Sequence, residues 1–311
     1  MTVNEAVRLL REKDEFLIIT HMRPDGDTMG SAAALCHGLT SIGKTAYVYR
    51  NPQFIDNMPW ITEPFLAPEG YEGKFTIAVD IADDGLFPKG FTGKADLCID
   101  HHPSNSSYAE MTLLNGEKAS CGEIVMEVLK ELCGNIDKTA ADLLYIAVST
   151  DTGCFVYGNT KADTLYAAAE LCRAGASNTA LNKLLFRTSS RARLLLEGLI
   201  FSSLRFFHEN KTVVAVVTRE MLQKAGATEN DCSDLAALPG RVDGASTSVL
   251  IKETDDNSCK ISVRTNGVVN ANAVCRRFGG GGHDMAAGCS INKGIEEAVM
   301  LLVNAIGEER Q

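Results

Sequence analysis

Through the first half of the chain, apolar runs of strand length alternate with amphipathic stretches of helix length. No other feature limits the fold as tightly. FLIIT (16–20), TAYVYR (45–50), FTIAVD (75–80) and DLCID (96–100) read as strands. A helix is expected from about Gly30, with Gly43 as its C-terminal stop. Ser120 and Glu123 form a capping-box pattern that opens a helix running to about Cys133. The segment 138–150 reads as another helix, and 160–175 as one that closes on Gly175. Strand and helix alternating at this spacing predict an α/β fold with a mostly parallel, doubly wound sheet.

The second half has a different rhythm. Residues 176–205 read as helices bridging to a second unit, in which 211–218, 246–254 and 258–266 look like hairpin strands. A short helix (270–278), the run Gly279–Gly282 before His283, and a terminal helix (294–306) follow. The expected organisation is a first domain over 1–185, a helical linker over 186–208 and a smaller α/β domain over 209–311. A chain of 311 residues has room for both.

Chemistry-bearing residues gather where the first domain's strands end. His21, Asp25 and Asp27 lie just past the first strand, Asp80 ends the third, and Asp100, His101 and His102 end the fourth. Asp151 lies just past the helix ending Val148-Ser149-Thr150. Ligands of an open parallel sheet bind beyond the carboxyl ends of its strands, so the fold can bring these groups together. Pro24 and Gly26 are read as keeping the first cluster out of a helix, in an extended or turning segment that aims Asp25 and Asp27 into one site.

A single aspartate after a strand is ordinarily a turn former or a helix cap, and Asp83 and Asp84 are read that way. Isolated histidines such as His37 and His208 are read as packing or surface residues. The joint pattern is different, because carboxylates this close raise one another's pKa unless a cation neutralises them. A ligand set rich in carboxylate, with some imidazole and no thiolate, suits Mn²⁺ or Mg²⁺ better than structural zinc. The ten cysteines are scattered without a C-x-x-C pair and are expected to be reduced and mostly buried. Eight such side chains exceed the needs of one ion. Two divalent ions sharing a bridging carboxylate are expected, an arrangement that generates a hydroxide and clamps phosphoryl oxygens. On these residues alone, His101 and His102 are equivalent as ligands.

Four motifs in order, H-x-x-P-D-G-D-x-x-G-S from His21, V-D at Asp80, D-H-H at Asp100 and S-T-D-T-G around Asp151, resemble those of the DHH phosphoesterase superfamily. S-V-R at 262–264 and F-G-G-G-G-H-D-M-A-A-G at 278–288 resemble its DHHA1 domain, so the likeness covers nearly the whole chain. Thr28-Met29 stand where that family often carries small or aliphatic residues, a departure that touches no ligand. The branch it resembles is the nanoRNase type, bifunctional for short oligoribonucleotides and 3′-phosphoadenosine 5′-phosphate (pAp).

The resemblance implies roles. His21, Asp25 and Asp80 would hold one metal, and Asp27, Asp80, His101 and Asp151 the other, with Asp80 as bridge. His102 would face the substrate phosphate, and Asp100 would orient its neighbours. Arg264, the glycines Gly280, Gly281 and Gly282, and His283 would contact substrate, because backbone without side chains lets a phosphate approach closely. Arg276 and Arg277 are read as solvating a helix end. The implied reaction converts short oligonucleotides, such as the dinucleotide pGpG, to nucleoside 5′-monophosphates, or pAp to AMP and phosphate. The resemblance also implies a homodimer.

Other readings are weaker. A pyrophosphatase or exopolyphosphatase shares the four motifs but pairs them with a different C-terminal domain. A membrane cyclic-dinucleotide phosphodiesterase would carry membrane and sensor segments. No run approaches the ~20 apolar residues needed to cross a bilayer, so no membrane partner and a cytoplasmic location are expected. The net charge of −10 argues against long nucleic acid as a partner. A non-catalytic nucleotide-binding regulator would be expected to have lost some of the ligand residues, and here all four motifs are intact.

Overall fold

A computed structural model describes residues 1–54, 58–232, 234–254 and 257–310. The chain divides into two compact units, 1–188 and 189–311.

In the first unit the strands are β1 (Phe16–Ile19), β2 (Ala46–Val48), β3 (Phe75–Val79), β4 (Leu97–Asp100) and β5 (Met111–Leu114). They form one sheet in the order β2-β1-β3-β4-β5, parallel throughout. This is a doubly wound order whose direction reverses between β1 and β3, so the crevice expected to bind ligand opens beyond Ile19 and Val79. The helices are α1 (Val3–Glu12), α2 (Gly26–Ser41), α3 (Pro59–Thr62), α4 (Cys121–Cys133), α5 (Lys138–Asp151), α6 (Ala162–Arg173) and α7 (Asn178–Phe186).

One core joins α1, α2, α4 and α5 to the Phe16, Ile18, Ile77, Val79, Leu97 and Ile99 face of the sheet. The opposite face, with Leu17, Ile19, Ala78 and Cys98, is covered by aromatic side chains from loops, among them Tyr71, Phe87, Phe91 and Tyr108. Strands buried on both faces lose the polar alternation of a half-exposed strand, which is why these runs read as continuous apolar stretches.

Two local details depart from the sequence reading. The helix expected from Gly30 begins at Gly26, so Asp25 is its N-cap and Asp27 lies in its first turn. Pro24 precedes the cap and disturbs no helical bond. Asp25 stays extended (φ −101°, ψ −168°) and accepts hydrogen bonds from the Asp27 and Thr28 amides. Gly26 is a packing residue: a Cβ there would lie 2.5 Å from Thr150 Cγ2, and one on Gly30 would lie 2.5 Å from the Leu143 carbonyl oxygen. The second detail is β5, an edge strand with a half-buried pattern that carries no strong periodic signal.

The second unit holds α8 (Arg191–Ser202), β6 (Arg205–Phe207), β7 (Thr212–Val217), α9 (Arg219–Ala225), β8 (Thr247–Glu253), β9 (Cys259–Thr265), α10 (Ala271–Arg276), β10 (Gly281–His283), β11 (Ala286–Ile291) and α11 (Ile295–Glu309). Its sheet order is β10-β11-β9-β8-β7-β6, antiparallel except for the parallel pair β7–β8. Helix α8 packs its buried Leu196 and Ile200 into this unit, against β7, β8 and the segment around Leu235. Among the described residues, no helix is long and apolar enough to cross a membrane.

Candidate metal centre

Past the ends of β1 and β4, two imidazoles are fixed in the same way. His21 Nδ1 lies 2.7 Å from the Met22 carbonyl oxygen, and His101 Nδ1 lies 3.3 Å from that of Lys118. A carbonyl only accepts, so Nδ1 carries the proton in each ring and the Nε2 lone pair faces the other way. His21 Nε2 is 3.6 Å from Asp25 Oδ1 and 3.8 Å from Asp80 Oδ2. His101 Nε2 is 3.4 Å from Asp80 Oδ1, 3.8 Å from Asp151 Oδ2 and 3.9 Å from Asp27 Oδ2. Imidazoles whose far nitrogen donates to a carbonyl while the near one faces carboxylates are arranged as metal ligands are.

Asp80 stands between the two histidines, one oxygen toward each. It leaves β3 with φ +61°, a left-handed conformation costing on the order of 1–3 kcal/mol in a residue with a side chain. Its amide donates to the Ile99 carbonyl at 2.9 Å, yet Oδ1 is buried with no hydrogen-bond partner. Asp27 is likewise buried. Its Oδ2 accepts from the Cys121 amide (2.7 Å), and its Oδ1 accepts from the Gly122 amide (3.0 Å) and the Ser31 hydroxyl (3.1 Å). The start of α4 therefore anchors it.

Burial and the charge of Asp80 push the Asp27 carboxyl well above its usual range, and burial and the charge of Asp25 do the same to Asp80. Burial also raises Asp151, against the pull of His101. At His21, burial is outweighed by Asp25, the Met22 carbonyl and Asp80, which lift the imidazole to about 9.

Three groups of ligand atoms lie close enough to share an ion: His21, Asp25 and Asp80; Asp27, His101 and Asp151; and Asp80, His101 and His102. Ligands about 2.1 Å from one cation sit roughly 3.0–3.4 Å apart, near the spacings found here. An orphaned buried carboxylate oxygen, two carboxyls loaded with mutual repulsion and two pre-oriented imidazoles fit divalent cations. Thiolate takes no part: the Cys121 thiol donates to the Ile99 carbonyl at 3.2 Å, and burial keeps it protonated.

His102 differs from His101. Its Nδ1 is 2.7 Å from Asp100 Oδ1, so this nitrogen is engaged and Nε2 is the free one, on a side chain 42% exposed. The hydrogen bond to Asp100 raises the His102 pKa, against burial. Asp100 is fully buried and fully occupied, accepting also from the His101 amide (2.8 Å) and Asn105 Nδ2 (2.7 Å). The equivalence of the two histidines in the sequence is thus broken by structure.

Two positioning residues escaped the sequence reading. Asn105 fixes Asp100, and Asn159 Nδ2 bonds the Asp151 and Ala119 carbonyls at 3.1 Å each. Neither sits in a pattern that distinguishes it from an ordinary loop asparagine. Residues set aside on sequence grounds lie elsewhere: His37 pairs with Asp137 at 2.7 Å, His208 with Thr212 at 3.0 Å, and Asp83 caps a turn through the Gly85 amide.

In the second unit, Arg264, Ala286 and His283 are directly paired across β9, β11 and β10, so Arg264 and His283 share one sheet face about 10 Å apart. The second half of the glycine run, Gly281 and Gly282, is strand, and the run is not a flexible linker. A Cβ on Gly280 would collide with the Gly288 carbonyl and Cys289, and one on Gly282 (φ +148°) would come 2.6 Å from the Ala286 carbonyl. These two glycines are required by the packing of β10 on β11. Gly281 is open: a Cβ there would have Asn272 Oδ1 as its nearest neighbour, at 3.8 Å.

Residues 15–148 match the DHH family, N-terminal domain, and residues 209–309 match the DHHA1 domain. The bifunctional oligoribonuclease and PAP phosphatase NrnA of Bacillus subtilis is 31% identical over 301 residues, covering 92% of each chain. The Thermus thermophilus protein of the same name is 31% identical over 319 residues, 98% of this chain and 94% of its own. Among solved structures, an exopolyphosphatase-related protein from Bacteroides fragilis superposes with a TM-score of 0.85 at 23% identity, over 99% of this chain and 96% of that one, a likeness of fold.

Proposed function

Because the chain belongs to the DHH/DHHA1 phosphoesterase family, we propose that it hydrolyses short oligoribonucleotides to nucleoside 5′-monophosphates and pAp to AMP and phosphate. The observation that carries this reading is Asp80: a strained, buried carboxylate with an orphaned oxygen, placed between two imidazoles oriented as ligands. His21, Asp25 and Asp80 would hold one divalent ion, and Asp27, Asp80, His101 and Asp151 a second. When bound, such a pair supplies Lewis-acid activation of water and neutralises charge on phosphoryl oxygens. Oxygen-rich ligation with imidazole and without thiolate favours Mn²⁺, with Mg²⁺ as the alternative.

The remaining work falls to the chain's own groups. Asp100 accepts from His102 Nδ1–H and favours the protonated imidazole, in which Nε2–H could donate to the departing ribose oxygen. Asn105 keeps Asp100 in place. The acidic, thiol-rich composition supports a cytoplasmic setting.

The test is phosphate release from pAp, and chromatographic product analysis of 5′-phosphorylated RNAs of two to five nucleotides, with Mn²⁺ present. Monophosphate products support the proposal. Tight nucleotide binding without turnover would make the protein a regulator that kept the fold.

Arg264 and His283 belong to nucleotide recognition in this reading. Arg264→Ala and His283→Ala are expected to raise KM for pAp and dinucleotides about tenfold each, the loss of one charge-assisted contact. KM for bis(p-nitrophenyl) phosphate, which lacks a nucleotide to grip, should change by less than about twofold. Equal losses on both substrates would mean that the second unit supports the metal centre instead.

A further inference from the structure

Helix α5 ends on Asp151, and the loop after it, residues 152–159, returns to the same place. Thr152 is buried, and its hydroxyl donates to the Val148 carbonyl at 2.6 Å and accepts from the Phe155 amide at 3.2 Å. The Thr152 carbonyl accepts from the Val156 and Tyr157 amides at 3.0 Å each, and the Cys154 amide donates to the Ser149 carbonyl at 2.7 Å. At the far end, Asn159 Nδ2 donates to the Asp151 carbonyl at 3.1 Å. The loop is thus tied to the end of α5 at its start, middle and finish.

These ties hold a backbone that the residues themselves disfavour. Gly153, Cys154 and Phe155 have φ of +56°, +59° and +67°, three left-handed residues in succession, two of them with side chains. L-residues visit this region singly, and a run of them persists only where surrounding contacts over-determine it. Here those contacts are the hydrogen bonds to Thr152 and Ser149 and the packing of the Phe155 ring edge-on to Tyr145, 6.0 Å between centroids. Strain of this kind clusters at active sites and ligand clamps.

What the turn presents is Tyr157. A Cβ on Gly153 would lie 2.4, 2.5 and 2.7 Å from Cζ, Cε1 and Cε2 of that ring. Near-equal distances to three ring carbons put the glycine over the face of the ring and not at its edge. One face is therefore seated on backbone, while the residue as a whole is 61% exposed. A ring with a firm back and an open front is a stacking platform, and every nucleobase has a π-face to lay on it. Gly153 stands two residues after Asp151, at most about 7 Å along the chain. Asp151 directs Oδ2 toward His101 Nε2, 3.8 Å away, inside the candidate metal centre.

We propose that Tyr157 stacks on a nucleobase flanking the reacting phosphate, and so selects nucleotides over other phosphate esters. This rests on the nucleotide reading of the function and uses residues of the first unit alone. Carboxylate-held metal ions grip phosphoryl oxygens, which all phosphate esters share, and so discriminate among them poorly. A stacked base adds affinity that only a nucleotide can supply, with little preference for which base it is. Stacking needs the ring and not its hydroxyl, so phenylalanine would serve as well.

The experiment measures KM and kcat with Mn²⁺ for the 5′-phosphorylated dinucleotide pApA and for two analogues, each lacking one of its bases. Wild type, Tyr157→Ala and Tyr157→Phe are compared. In the wild type, removing the stacked base is expected to raise KM about five- to thirtyfold. Tyr157→Ala should raise KM for pApA by the same factor, and removing that base should then cost nothing further. Tyr157→Phe should stay within about twofold of wild type on every substrate. Manganese content by elemental analysis should be unchanged in Tyr157→Ala, because other groups hold Asp151. Penalties for ring and bases that simply add would overturn the platform. So would lost manganese or an equal loss on all three substrates, which would make the ring a support for Asp151 or a contact between subunits. Absence of pApA hydrolysis by the wild-type protein would instead overturn the functional reading on which the platform rests.

Discussion

Replacing Asp80 by asparagine is expected to lower kcat at least 10³-fold, about 4 kcal/mol of transition-state stabilisation, while the fold survives and becomes more heat-stable in chelator. Both halves follow from one side chain. Asp80 directs one oxygen toward His21 and the other toward His101, so in the proposed ligand set its loss weakens both ion positions at once. Without ions, the same carboxylate is buried, unpartnered and repelled by Asp25, and a neutral amide of equal size removes that cost. Asparagine also tolerates the left-handed backbone at this position. Asp25→Asn, at a half-exposed carboxylate, should lose no more activity and gain less stability. His37→Ala should leave turnover within about twofold, because that ring pairs with Asp137 away from the cluster. Near-normal turnover and metal content in Asp80→Asn would sink the bridging assignment.

Removing the metal is expected to abolish activity, and Mn²⁺ to restore it better than Zn²⁺. The same titration has a thermal readout. Asp27 and Asp80 have folded-state pKa values raised by burial and by a neighbouring carboxylate, Asp80 for the first and Asp25 for the second, so each contributes stability that is complete below the unfolded carboxyl pKa and lost as pH rises through the folded value. Metal-free protein therefore bears more of this repulsion as pH rises. Adding Mn²⁺ about 100-fold above its Kd should raise Tm by about 5–10 °C at pH 8 and by a smaller amount at pH 5, where protons compete for the carboxylates. A shift of equal size at both pH values, or full activity in protein shown metal-free by elemental analysis, would count decisively against the centre.

Much of this site was legible because its residues are coupled to strand ends, which the apolar runs mark. Once FLIIT, FTIAVD and DLCID were read as parallel strands, the sheet order placed His21 beside Asp80 at the point where the winding reverses. The left-handed backbone of Asp80 was not legible, since nothing in V-D-I distinguishes a strained aspartate from a relaxed one. The helix start was misplaced because Pro24 and Gly26 look like breakers, whereas a proline ahead of a cap and a glycine inside a tight contact leave the helix intact. Asn105 and Asn159 were invisible because their importance lies in what they touch after folding. In the second unit, alternation along β9 and β11 was readable as strand, but which set of side chains remained open depended on where α8 packed.

The contact between α2 and α5 has a consequence for how well the centre tolerates change. Asp27 lies in the first turn of α2 and Asp151 ends α5, and the two helices approach so closely beside them that Gly26 and Gly30 have no room for a methyl group. The spacing of these carboxylates is thereby gauged by a helix interface that contains no ligand and no charge. A neutral substitution such as Gly30→Ala, pressed against a backbone carbonyl that cannot rotate away, would act as a shim, widening the gap between two ligands by a fraction of an ångström. Damage of that kind would register first as weaker ion retention, in a protein whose ligands were all still present and whose overall fold looked unaltered.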